Sequence, residues 1–127
     1  MAAFSRFEDI DAWRNGREWV KSIYTLTSRK PFSVDIGLRG QIQRAAISIC
    51  SNIAEGYGRR GNKEFMNFLW IAKGSTAEVA SQLYHAQDLG YITMEEMNDA
   101  QSLATRISAE LFSLIKYLSS HQTSKKI

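Results

Sequence analysis

The sequence predicts an all-α fold, an antiparallel up-down-up-down four-helix bundle, and three observations support this class. The chain has 127 residues but only one proline and eight glycines, so long stretches are free of helix breakers. Within these stretches apolar residues recur every three or four positions, the period of one helix face. Four such segments are joined by short connections, as in a helix bundle. We expect a single domain over residues 1–127, with helices at about 9–28, 33–57, 62–89 and 94–120.

The first two predicted helices are separated by a proline. The apolar face of the first helix consists of Ile10, Trp13, Val20, Ile23 and Leu26. Pro31 ends this helix, because the residue before a proline is pushed out of the helical region. The second helix begins near Ser33 or Asp35 and carries an apolar face of Ile42, Ala46, Ile49 and Ile53. Its end is marked by the glycines Gly56, Gly58 and Gly61.

Capping signals delimit the last two helices. Asn62 is a favourable N-cap for the third helix, and Gly90 is placed to cap its C-terminus. Thr93 and Glu96 have the spacing of a capping box, which predicts the start of the fourth helix. The buried face of the third helix is predicted at Phe65, Phe68, Leu69, Ala72, Val79, Leu83 and Ala86. The fourth helix has the same period from Met97 to Leu118.

Composition and charge narrow the class of protein. The chain is 44% hydrophobic and 23% charged, with a formal net charge of +3. No apolar run is long enough to cross a bilayer, and the N-terminus lacks the basic-then-apolar pattern of a signal peptide. The single cysteine, Cys50, cannot form an internal disulfide. We therefore expect a soluble cytoplasmic protein without a membrane partner.

No catalytic, metal or cofactor motif is evident. A di-iron bundle needs Glu-x-x-His pairs, but Gln82 and Leu118 precede His85 and His121 by three positions. The sequence has no Cys-x-x-Cys pair, no His-Glu-x-x-His and no Walker-type glycine loop. Cys50 lies among Ile49, Ser51 and Ile53, which favours a small packed thiol over a reactive one. We expect a protein that is not an enzyme and that uses neither a metal nor a cofactor.

Polar residues follow helical spacing on the second and third helices. They are Arg44, Ser48, Asn52, Glu55, Ser75 and Glu78. A satisfied polar network that fixes helix register is the favoured interpretation, and a ligand pocket is the alternative. We expect Arg44 to pair with Glu78, and the small residues Gly74 and Ser75 to let helices approach closely.

Two basic clusters are candidate nucleic-acid contacts. The first is Arg14, Arg17 and Lys21 on the first helix, and the second is Arg59, Arg60 and Lys63 after the second helix. In a ring of identical subunits these patches would add to one another, although each is also compatible with an ordinary solvated surface. Four aromatic residues fall partly outside the predicted core and indicate either a subunit interface or wide helix faces: Trp19, Tyr24, Trp70 and Tyr84.

Two long motifs resemble a known family. Residues 36–56 read IGLRGQIQRAAISICSNIAEG, and residues 64–78 read EFMNFLWIAKGSTAE. These motifs, together with the DLGYI sequence at residues 88–92 and an early Trp13, resemble the bacterial four-helix bundle family of 23S rRNA intervening-sequence proteins. The sequence departs from the family pattern at Gln43, where a second arginine is common, and at Cys50, where proline is frequent. The missing arginine removes positive charge, and Cys50 should let the second helix run straighter.

The resemblance implies a four-helix protomer that forms a homopentamer. A related member, the accessory variability determinant of diversity-generating retroelements, binds nucleic acid and a reverse transcriptase. The resemblance implies no catalytic role for the six residues that occupy motif positions, which are Arg44, Asn52, Glu55, Gly74, Ser75 and Glu78.

Three hypotheses follow from these observations. The leading one is an oligomeric protein that contacts RNA, DNA or a nucleoprotein through repeated basic patches. The second is a protein-protein interaction scaffold that does not bind nucleic acid. The third is an unrecognised enzyme, which would need a deep polar pocket around Arg44, Asn52 and Glu78.

Overall fold

The computed structural model describes residues 4–121, and in this range the protein is all-helical, without a strand. The four helices are α1 (Asp11–Thr27), α2 (Ile36–Tyr57), α3 (Asn62–Asp88) and α4 (Met94–Ser120). Single 3-10 turns at Phe7–Asp9 and Phe32–Val34 precede α1 and α2. The helix ends lie within three residues of the predicted ones, and α2 is continuous through Cys50.

Side-chain and backbone caps fix three of the helix ends. The Asp35 carboxylate accepts a hydrogen bond from the Leu38 backbone N–H at 3.1 Å and caps α2. The predicted capping box of α4 is confirmed, because the side chains of Thr93 and Glu96 each accept a hydrogen bond from the other's backbone N–H. Gly90 has a φ of 79° just after α3, as its predicted capping role requires.

The start of α3 differs from the prediction. Gly61, not Asn62, is the N-cap, and no side chain caps this helix end. Asn62 is the first helical residue, and its amide donates to the His121 backbone carbonyl at 2.9 Å. Asn62 therefore ties the start of α3 to the end of α4.

Each helix packs against the next one in the chain, and α1 also packs against α4, so that the four helices enclose one apolar core. Polar contacts cross between helices at several levels. Asn15 on α1 donates to the Glu110 carboxylate on α4 at 2.9 Å, and Gln101 on α4 donates to the Ala80 carbonyl on α3 at 2.8 Å. Among residues 4–121, no helix is long and apolar enough to cross a membrane.

Two glycines mark the closest helix contacts. A Cβ at Gly56 would lie 2.6 Å from the Cβ of Phe68, and one at Gly16 would lie 2.9 Å from the Cys50 sulfur. The predicted end of the second helix at its glycines is confirmed, since α2 ends at Tyr57 and Gly58 is its C-cap, and Gly56 in the last turn is also buried under α3. Gly74, expected to allow close approach, has no atom within 4 Å of its Cβ position.

The four aromatic residues expected at the edge of the core separate into two groups. Trp19 is fully buried, as the alternative of a wide helix face predicts for this residue. A broader core face than the predicted one explains this, since Ala12, Gly16 and Trp19 are all buried on α1. Tyr24, Trp70 and Tyr84 are 41%, 50% and 57% exposed.

Candidate nucleic-acid interface

In the α1 cluster, Arg14 forms an ion pair, whereas Arg17 and Lys21 form none with a carboxylate among residues 4–121. Arg14 donates to the Asp11 carboxylate at 2.9 Å and to the Glu8 backbone carbonyl at 3.0 Å. The Arg17 guanidinium lies 5.7 Å from the centre of the Trp13 ring. Arg17 and Lys21 are exposed, and no carboxylate within residues 4–121 forms an ion pair with either one. These two side chains are available to an external anion.

The second cluster lies where α2 ends and α3 begins. Arg59 pairs with the Glu55 carboxylate at 2.8 Å and covers the Phe68 ring, with 4.9 Å from guanidinium to ring centre. Arg60 and Lys63 are exposed, and neither forms an ion pair with a described carboxylate. Of the six predicted cations, Arg14 and Arg59 form local ion pairs, and the other four have no carboxylate partner among residues 4–121.

A polar cluster joins α2 and α3 at their contact. The Ser48 and Ser75 hydroxyls are 3.0 Å apart across the two helices. The Asn52 amide donates to the Ser48 carbonyl at 2.8 Å and to the Ser48 hydroxyl at 3.0 Å. These three residues, of the six predicted network members, are brought together by the fold.

The other three members lie outside that cluster. Glu55 is exposed and pairs with Arg59, as described above. The expected pair of Arg44 and Glu78 is absent among the described residues, because Glu78 accepts from the Gln82 amide at 3.4 Å and the Arg44 side chain lies along its own helix beside Gly40. Sequence spacing places both charged residues along the contact between α2 and α3, but it does not determine the side-chain rotamers that an ion pair between them would need.

A pair of glutamines, Gln41 and Gln82, continues the polar contact between α2 and α3. The Gln82 amide donates to the Gln41 side-chain oxygen at 3.3 Å. Gln82 is 93% buried, and its own side-chain oxygen has no partner among the described atoms. Gln41 precedes Ser48 by seven residues and Gln82 follows Ser75 by seven, so helical spacing places both glutamines on the polar faces of the second and third helices.

Cys50 is held as a neutral thiol. Its sulfur lies 3.5 Å from the Trp13 carbonyl and faces Gly16 on α1. Burial raises the pKa of this thiol to about 11, although the nearby Arg17 charge acts in the opposite direction. The arrangement suits a packed side chain and not a nucleophile at neutral pH.

A cleft of about 500 Å³ lies between α1 and α4 beside the start of α1. Its polar rim is already paired: Asp11 binds Arg14, and Glu110 accepts from Asn15. Within residues 4–121, no three His, Cys, Asp or Glu side chains form a group that could hold a metal ion.

Comparison with known proteins gives a family and a related fold. The model of the 23S rRNA-intervening sequence protein family matches residues 8–113. A solved structure from Bacteroides thetaiotaomicron, a protein of unknown function from the S23 ribosomal protein family, is 26% identical and has a TM-score of 0.76. The match covers 83% of this chain and 98% of that one. No curated protein matches. The chain therefore belongs to the family of 23S rRNA-intervening sequence proteins.

Proposed function

We propose that this protein is a non-enzymatic, self-associating binding protein that contacts RNA, DNA or a nucleoprotein through basic patches repeated in each copy. Arg17, Lys21, Arg60 and Lys63 are the residues assigned to this contact. The observation that carries the proposal is that these four cations are exposed and lack carboxylate partners among residues 4–121. Free cations bind phosphates by releasing condensed counterions, whereas paired ones must first lose a partner.

We further infer an antiparallel, up-down-up-down order of the helices. The support comes from residue pairs that cross between neighbouring helices: position 48 on α2 meets 75 on α3, and position 41 meets 82. On α1, Asn15 meets Glu110 of α4, and Arg29, two residues beyond the end of α1, meets Glu96 of α4. In each pair of helices, the residue number on one helix rises as the number of its contact partner falls, which is the pattern of antiparallel helices.

Self-association is part of the proposal because a single copy is only mildly basic. The formal net charge of one chain is +3, and two of the six cluster cations are already paired. A ring of copies, five by resemblance to the family, would repeat the four free cations around one axis. The summed field attracts a phosphate backbone more strongly than any one copy does.

Charge reversal tests the contact. The double variant Arg60→Glu/Lys63→Glu should weaken binding to a duplex RNA or DNA probe at least tenfold at low salt, because two phosphate contacts become repulsive. The single variant Lys63→Glu is also compared with Lys30→Glu, which has the same change in net charge at an exposed lysine between α1 and α2 and should change binding much less. Equal affinities of the double variant and the wild type, with the oligomer intact, would contradict the proposal.

A protein-binding scaffold is the second candidate, and the exposed aromatic side chains favour it. Trp70 and Phe112 are about half exposed and form an edge-to-face pair with ring centres 6.3 Å apart. Exposed aromatic clusters are typical of protein interfaces. If this candidate holds, Arg59→Glu/Arg60→Glu leaves partner capture intact, while Trp70→Ala removes it.

A further inference from the structure

One side of α1 combines two cations with an exposed aromatic ring. Arg17, Lys21 and Tyr24 are spaced four and three residues apart, so they follow one another along the same side of the helix, and all three are exposed. Side chains at these spacings are neighbours, with about 5–6 Å between their Cβ atoms. These three residues form a continuous surface, which we call the α1 stripe.

Tyr24 differs from the other exposed aromatic residues in its surroundings. Its side chain is 41% exposed, and no aromatic ring among residues 4–121 stacks on it. Trp70, in contrast, already packs edge-to-face on Phe112. Tyr84 is exposed too, but it lies near the end of α3, far along that helix from Lys63. Tyr24 is therefore an open ring beside cations that have no carboxylate partner in the described chain.

The neighbouring surface of α2 adds no negative charge to the stripe. The Gln43 amide donates to the Thr27 hydroxyl at 2.9 Å, and Cys50 lies against Gly16, so this part of α2 runs alongside the stripe. Residues 36–54, which form most of α2, contain no aspartate and no glutamate. A phosphate that approaches the stripe from the side of α2 therefore meets no carboxylate of this segment.

Glu18, the acidic residue of α1 that is nearest to these cations in sequence, belongs to the other side of the helix. It precedes Ser22 by one helical turn, and Ser22 lines a small pocket against α4. Lys21 follows Glu18 by three residues, yet the two form no ion pair. The Arg17 charge acts on the Cys50 thiol of α2, which places it on the side away from α4. The positive side of α1 thus faces α2.

Two such cations followed by an open ring match a nucleic-acid strand whose bases are unpaired. Cations attract the phosphate backbone, which single strands and duplexes share. An aromatic ring stacks on the flat face of a base, and in a duplex these faces are covered by the neighbouring base pairs. A duplex would therefore use Arg17 and Lys21 and leave Tyr24 without a contact.

We propose that the α1 stripe binds single-stranded RNA or DNA, with Arg17 and Lys21 on backbone phosphates and one unpaired base stacked on the Tyr24 ring. This inference rests on the function proposed above, because it names the form of nucleic acid that one of the two basic clusters takes. The ring contacts the face of the base and not the sugar, so Tyr24 contributes to the binding of either kind of strand.

Fluorescence anisotropy tests the stacking contact with labelled RNA and DNA strands of one mixed sequence, each also annealed to its complement. Tyr24→Ala should weaken binding of the single strands roughly tenfold, the size of one base–aromatic contact, and should leave duplex affinity unchanged. Tyr24→Phe keeps the ring and should bind as the wild type does. Tyr84→Ala, which removes an exposed tyrosine of α3, is the matched control and should also bind normally. The tighter wild-type affinity assigns the strand to RNA or to DNA, and the Tyr24→Ala loss should appear with that strand.

The outcomes separate this inference from the function on which it rests. If Tyr24→Ala binds single strands as tightly as the wild type while Arg17→Glu/Lys21→Glu weakens binding, the stacking contact is refuted and the basic-patch function stands. Equal losses on single strands and duplexes would refute stacking as well. A Tyr24→Ala protein that no longer self-associates in sedimentation, with an unchanged melting temperature, would assign Tyr24 to a protein contact and overturn the inference. A wild type that binds no nucleic acid at low salt would refute both.

Discussion

Gly56 is the position where the fold depends most directly on the absence of a side chain. It is the last residue but one of α2 and is covered by Phe65 and Phe68 of α3. The Cβ introduced by Gly56→Ala would lie 2.6 Å from the Phe68 Cβ, 3.1 Å from a Phe65 ring carbon and 3.3 Å from the Phe65 carbonyl oxygen. Two of these neighbours are a backbone oxygen and a Cβ, which cannot rotate away. Relief of the clash therefore requires α2 and α3 to move apart.

The expected loss combines two opposing effects. Overpacking of this kind costs about 3 kcal/mol, since the backbone itself must shift. Alanine regains about 1 kcal/mol of helix propensity over glycine. The net loss in the free energy of unfolding is about 2 kcal/mol, which lowers the melting temperature of a chain of this size by roughly 8 °C.

Urea and thermal unfolding followed by circular dichroism measure this difference. Gly74→Ala is the matched control, because the same substitution on α3 meets nothing within 4 Å. At concentrations too low for self-association it should stabilise the protein by up to about 1 kcal/mol. A Gly56→Ala protein as stable as the wild type would show that the α2–α3 contact is looser than described.

Three further predictions concern the helix contacts and their charges. The ion pair with Arg29 holds the pKa of Glu96 at about 2, below its usual 4.5. The pair therefore stabilises the fold fully above pH 4.5, and this contribution is lost as the pH falls through about 2. Since Arg29 is 45% exposed, we expect Glu96→Gln to cost only about 1 kcal/mol at pH 7 in urea unfolding, and the cost should vanish near pH 2. Gly16→Ala should destabilise the wild type more than the Cys50→Ala variant, because the clash at 2.9 Å is with the Cys50 sulfur; equal effects in the double-mutant cycle would rule this contact out. The Cys50 thiol, whose pKa is about 11, should react with iodoacetamide at pH 8 roughly 100-fold more slowly in the folded protein than in urea, and equal rates would show that the thiol is open to solvent.

Local signals in the sequence were sufficient to place the helices. Pro31, the Thr93 capping box and Gly90 act within a few residues of themselves, so they predict helix ends without knowledge of the fold. The apolar period likewise placed Ile23 and Ile49 in the core. The buried face of α1 is wider than the apolar period predicts, because the burial of Trp19 depends on how α2 and α4 pack against α1.

The contacts between helices were harder to predict. Gly56 and Gly74 are both helix glycines, yet one lies under Phe68 and the other is open, a difference that only helix packing determines. Arg44 and Glu78 share a seam without pairing, because side-chain rotamers decide which charges meet. The free or paired state of each cation in the basic clusters also depends on neighbours such as Glu55, which spacing alone does not assign.

The salt dependence of nucleic-acid binding tests most directly whether the cations of several copies bind one nucleic acid together. The four free cations of one copy would give a slope of about −3.6 when the logarithm of the association constant for duplex is plotted against the logarithm of salt concentration. If cations from more than one copy contact the same nucleic acid, the intact oligomer should show a distinctly steeper slope. A slope no steeper than this single-copy value, or no detectable binding at low salt, would contradict the account.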